Sequence, residues 1–152
     1  MGDAAKNSLA LFTPLLQNQY SPSYYYVGVE SISVGDQLVS IPASAFQINV
    51  KGTGGVYLHS GTTITHLQLA AFTAILEELS MGPSEYDNDD FTHDSGVNLW
   101  MFVNETKLTY CLAMDSSNDF SVIDNFQQQN NLIVTDVANT QVGFLATDCS
   151  TF

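Results

Sequence analysis

GGVYLHSGTTITHL occupies residues 54–67. Its apolar core, Val56-Tyr57-Leu58, joins a β-branched and an aromatic residue and reads as a strand. The approach to it, Gly52-Thr53-Gly54-Gly55, is a flexible run. A glycine cluster of this kind cradles phosphate only when a Gly-Lys-Ser/Thr follows and opens a helix. Neither condition is met, so the glycines read as a loop that feeds a strand.

Outward from this stretch, Tyr24 to Val34 is rich in aromatic and β-branched residues and is expected to be a strand. Gly35-Asp36 makes a turn, Gln37 to Ile41 returns as its hairpin partner, and Pro42 ends the pairing because it lacks a ladder donor. Gln68 to Leu79 predicts a helix: Leu69, Phe72, Leu76 and Leu79 recur at spacings of three and four with Ile75 beside them, and Gly82-Pro83 stops it. Ser84 to Gly96 is acidic and polar but lacks the ligand offsets and closing glutamate of a calcium loop, so it reads as solvated. Leu108 to Met114 predicts a strand, Asp115 to Asp119 a polar turn, and Phe120 to Ile123 another strand. Asn131 to Val137 and Gln141 to Leu145 predict a hairpin about Ala138-Asn139-Thr140. One helix among several strands, without βαβ alternation, indicates a mainly β, mainly antiparallel fold.

The 152 residues fit a single domain, expected to span 1–152. Sixteen acidic residues against three lysines, with no arginine, give a formal net charge of −13, which repels phosphate and anionic lipid headgroups. Nucleic acid and the membrane surface are therefore excluded as partners. No signal peptide is visible, Lys6 spoils the myristoylation pattern begun by Met1-Gly2, and no apolar run reaches the length of a bilayer span. Asn104-Glu105-Thr106 has the form of an N-glycosylation acceptor, relevant in a secretory setting. Cys111 and Cys149 permit one disulfide without demanding it. Their spacing matches no zinc signature and His59, His66 and His93 are not their companions, so no metal and no other cofactor is expected.

Three stretches in order carry a resemblance. YYYVGVESISVG at 24–35, GGVYLHSGTTITHL at 54–67, and the ending Tyr110 to Cys149, with YCLAM and SVIDNFQQQNNLIVTDVANTQVGF, resemble the C-terminal lobe of plant pepsin-like aspartic peptidases. This is the group of nepenthesin-like enzymes and xylanase-inhibitor proteins, and the match covers about residues 12–149. The resemblance implies the C-terminal lobe of the bilobal acid-protease fold, with one amphipathic helix near 68–79. It also implies a secreted or vacuolar setting, and a polypeptide substrate or a glycoside hydrolase as partner beside an N-terminal peptidase lobe.

The family's chemistry needs one aspartate from each lobe. Two carboxyls about 3 Å apart share a proton, one activating water and the other protonating the peptide carbonyl. Carried onto this sequence, Ser60 takes the place of the residue tying the two catalytic loops together, Gly61 that of the tight-turn glycine, and Thr62 that of the hydroxyl orienting the carboxylate. The aspartate position falls at His59. An imidazole, with an unperturbed pKa of about 6.5, offers one acceptor when neutral and none when charged, and cannot share a proton between two acids. The resemblance also implies a glycine after Val122-Ile123, where Asp124 stands, and a longer segment between Leu79 and Leu108 with a cysteine that would pair with Cys111. Cys149 would often reach outside the lobe, which leaves a Cys111–Cys149 bridge open. The expectation is a truncated, catalytically degenerate aspartic endopeptidase, inactive as it stands. The alternative is a non-catalytic inhibitor of the xylanase-inhibitor type, and a homodimer of lobes is the poorest candidate because two charged His59 rings would repel.

Overall fold

Val56–Leu58 forms a strand because both of its faces are covered. Val56 enters one hydrophobic core with Val27, Phe46, Leu67 and Ile75, while Tyr57 packs on the other side with Tyr26 and Val122. A strand buried on both faces reads as a continuous apolar run rather than an alternation. The computed structural model describes residues 10–81, 99–104, 107–112 and 114–149.

In chain order the strands are β1 (Leu11–Leu16), β2 (Tyr25–Val27), β3 (Ser33–Val34), β4 (Gln37–Leu38), β5 (Val56–Leu58) and β6 (Thr65–Gln68). Helix α1 (Leu69–Met81) follows, then β7 (Leu99–Asn104), β8 (Lys107–Leu112), β9 (Met114–Ser117) and β10 (Ser121–Ile123). A short helix α2 (Asn125–Gln128) leads to β11 (Asn131–Asp136) and β12 (Gln141–Ala146). Eight strands make one sheet in the order β11-β12-β1-β2-β5-β10-β6-β9, with β3–β4 and β7–β8 as separate hairpins. Most pairings are antiparallel; β5 with β10 and β6 with β9 are parallel.

The β11–β12 hairpin follows the sequence closely, pairing Asp136 with Gln141 across a 3-10 turn at Val137–Asn139 and a left-handed Thr140 at φ 52°. The β3–β4 hairpin turns at Gly35 with φ 56°, and Val39 N–H extends it to the Ile32 carbonyl. Tyr24 to Val34 is not one strand, however. It is two short ones, because β2 finds partners in β1 and β5 over three residues only. β1 carries no alternation in its sequence and contains Pro14. Leu11 to Pro14 pair with β12 and Leu15 and Leu16 with β2, so the proline, which lacks a donor, sits where the strand changes partner. Asp115 to Ser117, expected in a turn, extend β9 instead; as the end strand of the sheet it carries polar, exposed residues without cost.

Helix α1 forms as expected, but its buried face is displaced from the expected stripe. Ala71 and Ile75, one turn apart, are 0 % and 3 % exposed, with Phe72, Ala74 and Leu79 packed beside them. Leu69 and Leu76 are 55 % and 39 % exposed, so Leu76 is not the core anchor that its spacing suggests. Gly82-Pro83, the Ser84 to Gly96 segment and His93 lie outside the described residues.

Candidate functional site

The sheet order places β10 between β5 and β6, although β5 and β6 follow each other in sequence. The connection between them, residues 59–64, must therefore cross the end of β10. His59 is the first residue after β5, and its N–H donates to the Ile123 carbonyl at 3.0 Å, continuing the parallel ladder by one step. Past the crossing, Asn125 N–H donates to the Thr62 carbonyl at 3.1 Å and Asn125 Nδ2 to the Ser60 carbonyl at 3.3 Å. The loop is thus pinned at both ends to the β10–α2 junction.

Within it, Gly61 N–H donates to His59 Nδ1 at 3.0 Å. A side chain at Gly61 would place its Cβ 2.6 Å from His59 Cε1, so the glycine is what lets the ring fold back over the turn. Thr62 N–H and Oγ1–H both donate to the His59 carbonyl, at 3.4 and 3.1 Å. The Thr62 hydroxyl therefore braces the backbone of residue 59 rather than its side chain. His59, Ser60 and Gly61 are exposed. The Ser60 side chain makes no hydrogen bond among the described residues, so only its carbonyl is engaged.

Beneath the loop sits a polar knot that sequence reading did not anticipate. Asp124 is fully buried and caps α2: its Oδ1 accepts from Gln127 N–H at 3.1 Å and lies 2.9 Å from Thr65 Oγ1, while its own N–H donates to Thr65 Oγ1 at 3.1 Å. The Thr65 hydroxyl also lies 2.6 Å from Gln127 Oε1, and its single proton serves one acceptor at a time. Asp124 Oδ2 and Gln127 Nε2 are buried and have no hydrogen-bond partner among the described residues. The signal was in the sequence as Asp124-x-x-Gln127, the form of a helix N-cap followed by a glutamine three residues on. Asp124, where the resemblance implies a glycine, thus orders the loop's support.

Burial, and secondarily the neighbouring Tyr24 and Tyr26 phenols, push the Tyr57 hydroxyl above the ordinary phenol value. Tyr57 stacks on Tyr24 at 4.5 Å and meets Tyr26 and Phe120 edge-on or tilted, an aromatic underside to the strand that carries His59. Among the described residues no group of three or more His, Cys, Asp or Glu side chains could hold a metal ion. Cys149 is an exposed free thiol. No described helix is long and apolar enough to cross a membrane.

Comparison with known proteins agrees with this architecture. The family described as "Xylanase inhibitor C-terminal" matches residues 24–89. Aspartic proteinase nepenthesin-2 of Nepenthes gracilis is 32 % identical over 167 residues, covering 90 % of this chain and 38 % of that protein. Aspartyl protease family protein 2 of Arabidopsis thaliana is 32 % identical over 180 residues, 98 % of this chain and 37 % of its own length. The chain therefore spans well under half of these relatives. The nepenthesin-2 match runs over more positions than the 152 residues of this chain, so that relative carries residues inside the matched region which this chain lacks. A solved structure described as the crystal structure of edgp superimposes with a TM-score of 0.69 at 22 % identity, over 93 % of this chain and 46 % of that one. With the fold of one lobe and likeness across nine-tenths of its length, the chain belongs to the plant pepsin-like aspartic peptidase family, in the C-terminal lobe of that fold.

Proposed function

We propose that this chain, a single C-terminal-lobe domain over 1–152 with family likeness over about 12–149, is a lobe of the aspartic endopeptidase type that has lost the capacity to hydrolyse peptides. His59 stands in for the catalytic aspartate, with Ser60, Gly61 and Thr62 as the rest of the active-site turn. The supporting observation is the bond from Gly61 N–H to His59 Nδ1. In that tautomer the ring's one lone pair is already used, and the remaining Nε2–H is a donor. Protonating Nδ1 breaks the bond to Gly61 and still leaves no acceptor. The other neutral tautomer, with Nε2 free, is reached only by giving up the Gly61 bond, so while that bond holds the side chain offers no free base to draw a proton from water, which is the carboxylate's part in peptide hydrolysis. A carboxylate at 59 would keep one oxygen for Gly61 N–H and present the other to water.

The test joins the chain to the N-terminal lobe of a relative, with and without His59→Asp, and follows cleavage of unfolded protein at mildly acidic pH with pepstatin as control. The wild-type fusion should be silent and the His59→Asp fusion faster by about 10²–10⁴-fold, the span of general acid–base catalysis. Asp124→Gly is added if assembly fails. Equal cleavage by the two fusions would place the catalytic position elsewhere. The isolated chain should be inactive in either form, since one carboxyl cannot fill both roles.

The family description at residues 24–89 favours a second reading, a binder that blocks a glycoside hydrolase. Loss of xylanase turnover on adding the chain, unaffected by His59→Ala, would select it. Asn104 is the last residue of β7, opposite Lys107, and is proposed as a glycan acceptor; a mass shift on enzymatic deglycosylation of plant-expressed protein checks this.

A further inference from the structure

A cleft of about 780 Å³ opens between residues 15–25 and 48–52 and is bounded by the β11–β12 turn at Val137 and Thr140. Its volume lies in the range of small-molecule sites. Among the described residues no charged side chain lines it, although the chain carries 16 acidic residues and three lysines. A charged ligand would lose its hydration there and meet no counter-ion.

The cleft is built rather than incidental. Asn18, 2 % exposed, donates from Nδ2 to the Gly52 carbonyl at 2.8 Å and accepts from Tyr20 N–H at 3.0 Å, stapling one wall to the other. Gly52, at φ 80°, leaves room for the Tyr20 ring to lie against the backbone, where any Cβ would strike it. Tyr24 has one face stacked on Tyr57, which leaves the other for a ligand. Tyr20, Tyr24 and Tyr25 remain 62 %, 47 % and 46 % exposed. The carboxamides of Gln17 and Gln19 and these phenol hydroxyls make no hydrogen bond among the described residues.

We propose that this cleft binds a neutral oligosaccharide. The C–H faces of pyranose rings are flat and apolar and stack on rigid aromatic rings, while each sugar hydroxyl both donates and accepts and so satisfies both ends of a carboxamide. A proline-rich segment would use the same rings but offers carbonyl acceptors alone, so it could pair with only the donor end of the exposed Gln17 and Gln19 carboxamides. None of residues 59–62 lines the cleft, although Tyr25 pairs with Leu58 one residue before that turn.

The whole chain is titrated with cellohexaose, xylohexaose, mannohexaose and chitohexaose, and with decaproline, while backbone amide NMR signals are followed. At least one hexasaccharide should saturate at millimolar concentration or below, moving the signals of Asn18, Tyr20 and Gly52. Tyr20→Ala should weaken binding by about tenfold or more, equivalent to about 1.4 kcal/mol. The double variant Gln17→Ala/Gln19→Ala should also weaken it with an unchanged melting temperature, and His59→Ala should leave it intact. The proposal is overturned if none of the four sugars saturates, if the shifts map away from the cleft, or if the double variant binds as the wild type does. Saturation by decaproline in place of the sugars overturns it equally.

Discussion

Asp124 and Asp136 do the same local job in two parts of the molecule, each capping a short helical turn, of four residues and of three. Their surroundings differ in kind. Asp136 finds its partners within five residues: Oδ1 accepts from Asn139 N–H, and Oδ2 from Asn139 Nδ2 and Gln141 Nε2. Both oxygens are used, and these bonds, that from the Asn139 side chain foremost and Gln141 next, hold its carboxyl below the usual carboxylate range. Asp124 depends on Thr65, 59 residues away, and one of its buried oxygens has no partner among the described residues. The hairpin turn is a closed local structure; the support of the His59 loop is assembled from distant pieces and left incompletely satisfied.

The contrast can be broken by measurement, and a core substitution sets the scale. Ile75→Ala, at the centre of the α1 face, should cost about 2–5 kcal/mol in denaturant unfolding, with Leu76→Ala costing distinctly less. Equal costs would mean that the helix packs by its sequence stripe after all. Asp124→Ala strips the α2 cap and the Thr65 contact and should cost about 1–3 kcal/mol. Asp124→Asn keeps the capping oxygen and should cost less than the alanine variant; the reverse order would show that the cap is not what Asp124 contributes. The smallest effect belongs to Asp136. A carboxyl whose folded pKa is depressed lends stability above its unfolded value, and loses it as pH falls through the folded value. The stability gap between wild type and Asp136→Asn should therefore be present at neutral pH and close below the ordinary carboxylate range. A gap constant with pH would show that Asp136 acts only through shape.

The same contrast explains what could be read from sequence. The β11–β12 hairpin, β5 and α1 were legible because their signals are local: a turn between two apolar runs, a doubly buried run after glycines, a helical spacing. The face of α1 was misjudged by one residue, since leucine spacing favours Leu76 while the sheet receives the smaller Ala71 beside Ile75. β1 and β6 were not legible. Their partners lie far along the chain, β12 for the one and β10 and β9 for the other, and four residues of Thr-His-Leu-Gln carry no strand signature of their own. At the loop, residues 59–62 were placed by resemblance to a family motif, whereas Asp124 registered only as a departure. Its capping role was written three residues further on, in Gln127.

The insertion of β10 between β5 and β6 has a consequence for the order in which the chain acquires its shape. The β11–β12 hairpin closes across a handful of residues and can form early, at the speed of local contacts. The turn bearing His59 cannot take its form until Ser121–Ile123 has threaded in beside Val56–Leu58, a pairing that spans 65 positions of chain. Long-range parallel pairing of this kind comes late, because the entropy of closing so large a loop is lost before any contact repays it. A half-folded molecule is therefore expected to hold the outer hairpin before the turn at 59–62 takes shape.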